Sequence, residues 1–218
     1  MTPDPGPRLL TCRLENGTAI VTLDDGEVLE MAAGALPQDL PRAGEPLPTD
    51  LLERLRDAAE RKHIARRVFQ LLDRRLYPMA ALRRLLTGEG HTPEAVTSVL
   101  DEFAAKDLHS DRRYAEAYCR DTLRRRPVGR RYLLAKLRDQ QVPAEVAEAA
   151  VASTLPAERE EDLAREAGRR RWARESDPAD PAALARVMRF LAGRGFPAGL
   201  ASRAARATTP PGRRKEAE

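Results

Sequence analysis

Arginine side chains give the stretch from Asp111 to Arg138 the strongest chemical character in the chain. It holds ten basic residues and only three acidic ones, a balance of +7. Densely spaced guanidinium groups can form paired hydrogen bonds to phosphates or carboxylates. A solvated helix does not need such an excess of one sign. The stretch therefore predicts an anionic partner, either nucleic acid or an acidic protein surface.

Helical geometry separates these arginines from the apolar side chains of the same stretch. At about 100° per residue, Arg113, Arg120 and Arg124 fall close to one line along a helix, and Tyr114 and Tyr118 fall about 100° and 140° from Arg113, in the apolar stripe. The two tyrosines are thus expected in the core rather than as platforms for stacked bases. Aromatic residues make up only 4% of the chain, and this scarcity also argues against a protein built to stack on every nucleotide.

Catalytic motifs are absent from the sequence. It contains no GxxxxGK[ST] loop for phosphates, no HExxH, no CxxC pair and no GxSxG elbow. His63, His91 and His109 stand singly in charged or loop surroundings, so we expect surface or capping roles for them. We therefore expect no enzyme, no cofactor and no metal.

Charge is spread unevenly along the 218 residues, whose net charge is +4. Residues 1–48 hold three arginines against eight acids, or −5, which leaves +9 for the remainder. Cys12 and Cys119 are far apart, and we expect both to be reduced inside a cytosolic protein. No secretory signal or membrane span is visible in the sequence, so we expect a cytoplasmic protein without a membrane partner.

Strand patterns are confined to the first part of the chain. Leu10, Cys12 and Leu14 alternate with polar residues, and Asn16-Gly17 has the composition of a two-residue hairpin turn. A second alternation contains Ala19, Val21 and Leu23, and a third short strand is predicted over 28–31. A proline-rich connector follows, with Thr49 or Asp50 expected to cap the first helix.

From Leu51 onward the periodicity is helical and repeats. A long amphipathic helix is predicted to about Arg75. Three later segments align with one another through their leucines and prolines, at Leu86, Leu137 and Leu191 and at Pro93, Pro143 and Pro197. The predicted organisation is a β-rich acidic segment with its connector (1–48), three helical repeats (49–108, 109–156 and 157–208) and a disordered tail (209–218).

The fold class predicted from this organisation is mainly α. It consists of three tandem three-helix repeats in an elongated, curved body, preceded by a small β-hairpin or meander.

These motifs resemble the RecX family, the regulatory proteins that modulate the RecA recombinase. The middle-repeat pattern that carries the resemblance is Leu108, Asp111, Tyr114, Ala115, Tyr118, Gly129, Arg130, Leu133 and Leu137. Arg75, Tyr77 and Leu82 resemble the motif of the first repeat, and Gly195-Phe196 resembles one near the end. The resemblance extends over about Leu10 to Ala207.

The resemblance implies a non-enzymatic protein that binds in the groove of the RecA filament on DNA and lowers ATP hydrolysis and strand exchange. It implies roles in DNA repair and the SOS response, and we expect a monomer that contacts RecA and DNA. The arginines expected to make the contact are Arg113, Arg120, Arg124, Arg125, Arg126, Arg130 and Arg131. A second candidate patch is Arg169, Arg170 and Arg171. Tyr114, Tyr118, Leu133 and Leu137 are expected only to hold the middle repeat together.

Two other function classes stay open from the sequence. Three-helix units can also place a helix in the major groove of DNA, as transcription regulators do. A protein scaffold that binds no nucleic acid is the other alternative. Salt dependence of binding separates the last class from the others, because phosphate contacts weaken steeply with salt.

Overall fold

The computed structural model describes residues 6–211, and the chain divides into two compact units, Met1–Leu108 and His109–Glu218. We call them the N-terminal and C-terminal units. Residues 212–218 of the predicted disordered tail lie outside the described residues. Within 6–211, no helix has both the length and the apolar composition needed to cross a lipid bilayer.

The N-terminal unit opens with an antiparallel sheet of β1 (Leu9–Glu15), β2 (Thr18–Leu23) and β3 (Val28–Ala32), in that spatial order. Asn16 and Gly17 have φ of 48° and 76°, the left-handed conformation that a type I′ hairpin turn requires. Ala19, Val21 and Leu23 are fully buried. The predicted small meander and its first turn are confirmed.

The prediction for the first strand was only partly right. Leu10 and Leu14 are 48% and 65% exposed, and Cys12 is exposed as well, whereas Cys119 is buried. The reason is that the long helix of this unit packs against β3, while β1 forms the opposite edge of the sheet. Alternation along β1 therefore does not correspond to a buried face.

Three α-helices follow the sheet in the described part of the N-terminal unit: α1 (Thr49–Leu72), α2 (Met79–Gly88) and α3 (Pro93–Ala105). α1 serves two cores, because Leu51 and Leu55 pack with the sheet and Ile64 and Val68 pack with α2 and α3. The predicted cap was wrong: Pro48 occupies the cap position, and Thr49 and Asp50 already belong to the helix.

Six helices form the described part of the C-terminal unit. They are α4 (Asp111–Arg125), α5 (Arg130–Asp139), α6 (Ala144–Thr154), α7 (Ala157–Trp172), α8 (Pro181–Gly193) and α9 (Ala198–Ala207). The first three enclose one core around Leu133 and Leu137, and the last three enclose another around Trp172 and Phe196. The mainly helical fold with a small N-terminal sheet is thus confirmed.

The same turn ends the middle helix of each predicted repeat. Leu86, Leu137 and Leu191 are fully buried, and the carbonyl of each accepts a hydrogen bond from the N–H five residues later, at 3.1–3.2 Å. The residue four positions after each leucine, just before the N–H donor, has positive φ. This is the Schellman arrangement. It is built on Gly90 and Gly195 in two repeats but on Gln141 in the middle one.

Candidate anion-binding surface

Helix α4 separates arginines from core as its periodicity predicted. Ala115, Cys119 and Leu123 are buried, while Arg120 and Arg124 are exposed on the other side of the helix. Tyr114 and Tyr118 are partly buried against the same core, with ring centroids 6.1 Å apart, and Leu133 and Leu137 are fully buried. The structural role predicted for these four residues is confirmed.

Acidic neighbours neutralise part of the positive charge on α4. Arg112 and Arg120 both contact Glu116, at 3.1 and 3.5 Å, and Arg124 lies 3.7 Å from Asp121. All of these pairs join residues of the same helix and are solvent-exposed on the arginine side. Exposed pairs of this kind contribute only about 0–1 kcal/mol. An incoming anion can therefore replace them at little cost.

Arg126 ends α4 and is held by an aromatic ring instead of a carboxylate. Its guanidinium carbon lies 4.6 Å from the ring centroid of Tyr132, and Nη2 donates a hydrogen bond to the tyrosine hydroxyl. Cation–π contact fixes the guanidinium plane and leaves its positive charge uncompensated. Neither Arg126 nor its neighbour Arg125 forms an ion pair with any acid in the described part of the chain.

Arg130 is engaged inside the protein. Its backbone N–H and its Nε donate to the two carboxylate oxygens of Glu160, at 2.8 and 2.6 Å. Glu160 is 2% exposed, and it comes from α7 of the third repeat. Arg131, one residue later, has an exposed side chain, while its backbone N–H donates to the carbonyl of Gly195.

The third repeat carries a second ring between arginines. The guanidinium carbons of Arg194 and Arg171 lie 4.9 and 5.9 Å from the ring centroid of Phe190. Arg171 also contacts Glu175 at 2.6 Å. A hydrogen bond from Arg186 lowers the pKa of that carboxyl, so Glu175 is charged at neutral pH.

The other two arginines of the predicted second patch differ in their neighbours. Arg170 pairs with Glu166 on the same helix at 2.5 Å. Arg169 is exposed, and no acid among residues 6–211 pairs with it. All three arginines lie in the last turn of α7, where positive charge also stabilises the helix dipole.

Two glycines bring the start of α5 against the turn that follows α8; we call their contact the glycine junction. Gly129 donates its N–H to the carbonyl of Arg194 at 2.9 Å, and Arg131 donates to that of Gly195 at 3.1 Å. A Cβ atom on Gly129 would overlap the backbone of Gly195, and one on Gly195 would overlap the backbone nitrogen of Tyr132. Only glycine permits this approach.

The junction makes neighbours of residues that are far apart in sequence. Tyr132, with Arg126 stacked on it, lies against Gly195, and Arg194 precedes that glycine. Phe190 then connects Arg194 to Arg171. We call Arg126, Tyr132, Arg171, Phe190 and Arg194 the arginine–aromatic surface.

The arginines were predicted from the sequence, but the residues that organise them were not. Tyr132, Phe190, Arg194 and Glu160 were not predicted as part of a site, because nothing in a helical period relates the second repeat to the third. A signal did exist in Gly129 and Gly195. The two glycines sit at the starts of motifs that the sequence had already set apart.

The histidines also differ from expectation. His63 and His91 do not stand singly: their ring centroids are 5.2 Å apart, and Nδ1 of His91 lies 3.4 Å from Glu60. The carboxylate of Glu60 also accepts hydrogen bonds from the backbone and hydroxyl of Thr92, so the cluster ties the start of α3 to α1. His109 is buried, at 1% exposure, and is not a surface residue.

The fold and the surface together define a class of protein: tandem three-helix domains that present arginines, in part stacked on aromatic rings. Two family models match the chain, described as the second three-helix domain of RecX at residues 110–151 and the third at 158–204. A protein called "Regulatory protein RecX" from Chromobacterium violaceum is 35% identical over 143 residues, which are 65% of this chain and 88% of that one. One from Thermobifida fusca is 34% identical over 169 residues, 78% of this chain and 86% of its own. The chain belongs to the RecX family.

Solved structures agree on the fold. A crystal structure of regulatory protein RecX superposes with a TM-score of 0.70 at 18% identity, covering 89% of this chain and 96% of the other. The crystal structure of RecX from Lactobacillus salivarius superposes with a TM-score of 0.61 at 14% identity, covering 68% of this chain and 96% of the other.

Proposed function

We propose that the chain is a regulator that binds the RecA–DNA nucleoprotein filament and inhibits its ATP hydrolysis and strand exchange. In this role it modulates recombinational DNA repair and the SOS response. It acts by binding and performs no chemical step of its own. The observation that carries the proposal is the arginine–aromatic surface of the C-terminal unit.

Charge supports an anionic partner for this unit. Residues 109–218 hold 24 basic and 16 acidic residues, or +8. Such an excess accelerates encounter with a polyanion and holds it once bound. The filament offers both DNA phosphates and acidic side chains, and guanidinium groups bind either in paired fashion.

The geometry of the surface favours phosphate contact over base recognition. The rings of Tyr132 and Phe190 are covered by guanidinium groups, so these faces are not open to stack on bases. Contacts to phosphates carry no direct sequence information. Binding should therefore tolerate any DNA sequence, which suits a protein that acts on a filament formed anywhere along a chromosome.

The relatives support the regulatory part of the proposal. Those from Chromobacterium violaceum and Thermobifida fusca are named regulatory proteins, and this chain covers most of the length of each. The proposal extends that role to this chain and assigns its physical basis to the C-terminal unit.

The test is to add the protein to preformed RecA filaments on single-stranded DNA and to follow ATP hydrolysis and filament length. We expect the protein to slow hydrolysis and to shorten filaments or stop their growth. The effect should weaken as salt rises, because released counterions drive phosphate binding. Unchanged hydrolysis and length would contradict the proposal. Binding to one duplex sequence far above random duplex would instead indicate a transcription regulator.

A further inference from the structure

Glu160 occupies an unusual place for a charged side chain. It is 2% exposed, it lies in the first turn of α7, and both of its oxygens bind the residue that begins α5. Oε1 accepts the backbone N–H of Arg130 at 2.8 Å, and Oε2 accepts Nε of the same residue at 2.6 Å. A carboxylate from the third repeat thus holds the start of a helix in the second.

Helix α5 cannot supply this stabilisation itself. Its cap residue is Gly129, which has no side chain to accept a hydrogen bond. A side chain at that position is excluded, since a Cβ would overlap the backbone of Gly195. Glu160 therefore does for α5 what a local capping residue does for other helices, and it satisfies one of the N–H groups left free at the helix start.

We propose that Glu160 is a positioning residue for the binding of anionic polymer. By fixing the start of α5 next to the glycine junction, it keeps Arg126 on Tyr132 beside Arg194 on Phe190 as one preorganised surface. The inference rests on the proposed function for its ligand, the phosphodiester backbone of DNA. A surface already ordered before binding loses less entropy when it binds.

The direction in which one substitution changes DNA affinity distinguishes a positioning role of Glu160 from a purely electrostatic one. Glu160→Gln removes a negative charge, so simple electrostatics predicts tighter binding to DNA. The amide oxygen of the glutamine can still accept a hydrogen bond from the backbone N–H of Arg130. Its NH₂ group, however, faces Nε of Arg130, and because both groups are donors the second hydrogen bond is lost. Positioning therefore predicts weaker binding, by about tenfold.

Asp162→Asn provides the matched control. It makes the same charge change on the same helix, at a side chain that is 77% exposed and pairs with the exposed Arg165. Affinities are measured by fluorescence anisotropy with a fluorescein-labelled single-stranded oligonucleotide, with circular dichroism to verify that helicity is kept. We expect Asp162→Asn to bind as tightly as wild type or slightly tighter. If Glu160→Gln does the same, the positioning role is overturned.

A second measurement tests the junction without any ligand. Spin labels at Ala135→Cys in α5 and Ala192→Cys in α8, both exposed, report the distance between the second and third repeats. Cys12 is replaced by Ser in this background because it is exposed, and buried Cys119 is kept. We expect a narrow distance distribution that broadens or shifts in Glu160→Gln. An unchanged distribution would refute the positioning role.

The two experiments keep the two proposals distinguishable. A wild-type protein that binds no DNA and does not affect RecA refutes the proposed function, whatever the spin labels show. A wild-type protein that binds, together with Glu160→Gln that binds equally well, refutes only the positioning of the surface by Glu160.

Discussion

The two units of the chain hold their arginines in different ways. Residues 1–108 contain 14 basic and 18 acidic residues, or −4, against +8 for residues 109–218. In the N-terminal unit, arginines pair with acids that lie far away in sequence: Arg56 with Glu27 and Arg67 with Glu89, each at 2.6 Å. In the C-terminal unit, Arg130 also pairs with a distant acid, Glu160, but Arg126 and Arg194 lie over aromatic rings and have no acid partner among the described residues.

This difference shows why counting arginines is a poor guide to binding. A guanidinium that connects two elements through a carboxylate must give up that contact before it can bind a phosphate. A guanidinium stacked on a ring keeps its charge uncompensated, and its orientation is already fixed. The N-terminal unit also has one such stack, Arg75 on Tyr77 at 4.4 Å, which provides an internal comparison.

The largest effect should come from reversing charge in the C-terminal unit. Replacing Arg124, Arg125 and Arg126 by Glu should weaken inhibition of RecA ATP hydrolysis by about 100-fold or more, since each charge-assisted contact contributes about 1.5–3 kcal/mol. Half-maximal inhibition is measured by titration at fixed salt.

The matched control is the same reversal in the N-terminal unit, at the exposed residues Arg74, Arg83 and Arg84. This triple variant changes the net charge by the same amount, and it should weaken inhibition of ATP hydrolysis far less. Equal losses in the two triple variants would show that overall charge, and not the position of the arginines in the C-terminal unit, drives binding.

Much of the fold could be predicted from the sequence because it depends on local patterns. Asn16-Gly17 dictates its turn, and the buried leucines at 86, 137 and 191 follow from helical period and the proline that comes after each. The predictions were wrong where the burial of a residue depends on which element packs against it. β1 alternates like a half-buried strand, yet α1 packs at the other edge of the sheet.

The site was predictable only in part, for the same reason. The arginines of α4 face away from its core as the helical period requires. The link from Arg126 to Arg194 depends on two backbones meeting at Gly129 and Gly195. No pattern within one repeat contains that contact, and Gln141 with positive φ shows that glycine alone does not mark every such turn.

A smaller effect should follow from removing the ring beneath one arginine. Tyr132→Leu should weaken DNA binding about two- to fivefold, the value of a cation–π contact at an exposed site. Tyr132→Phe keeps the ring and should bind nearly as wild type. Both are measured by anisotropy with a labelled oligonucleotide.

Tyr77→Leu removes the corresponding ring beneath Arg75 in the N-terminal unit. We expect no change in DNA affinity, because that unit carries net negative charge. A loss of DNA affinity as large as that of Tyr132→Leu would show that the two units do not differ in how their stacked arginines bind DNA.

The smallest effect concerns pH and should be shared by the two units. Hydrogen bonds from Arg186 and Arg67 lower the pKa values of Glu175 and Glu89 below the ordinary 4.5. A lowered folded-state pKa contributes stability above pH 4.5 that is lost as pH falls through the lowered value. Glu175→Gln and Glu89→Gln should therefore have a lower unfolding free energy than wild type at neutral pH.

That difference should shrink for both variants in more acidic solution, as urea titrations at a series of pH values would show. A difference that grows with acid would mean that these carboxyls are not stabilised as anions in the folded protein.

The decisive measurement is hydrogen exchange of the protein, free and bound to RecA filaments. We expect binding to protect amides around Arg124–Arg131 and Phe190–Gly195 in the C-terminal unit, with little change in α1 or the sheet. Protection confined to residues 1–108, with the arginine–aromatic surface still exchanging as in the free protein, would contradict it.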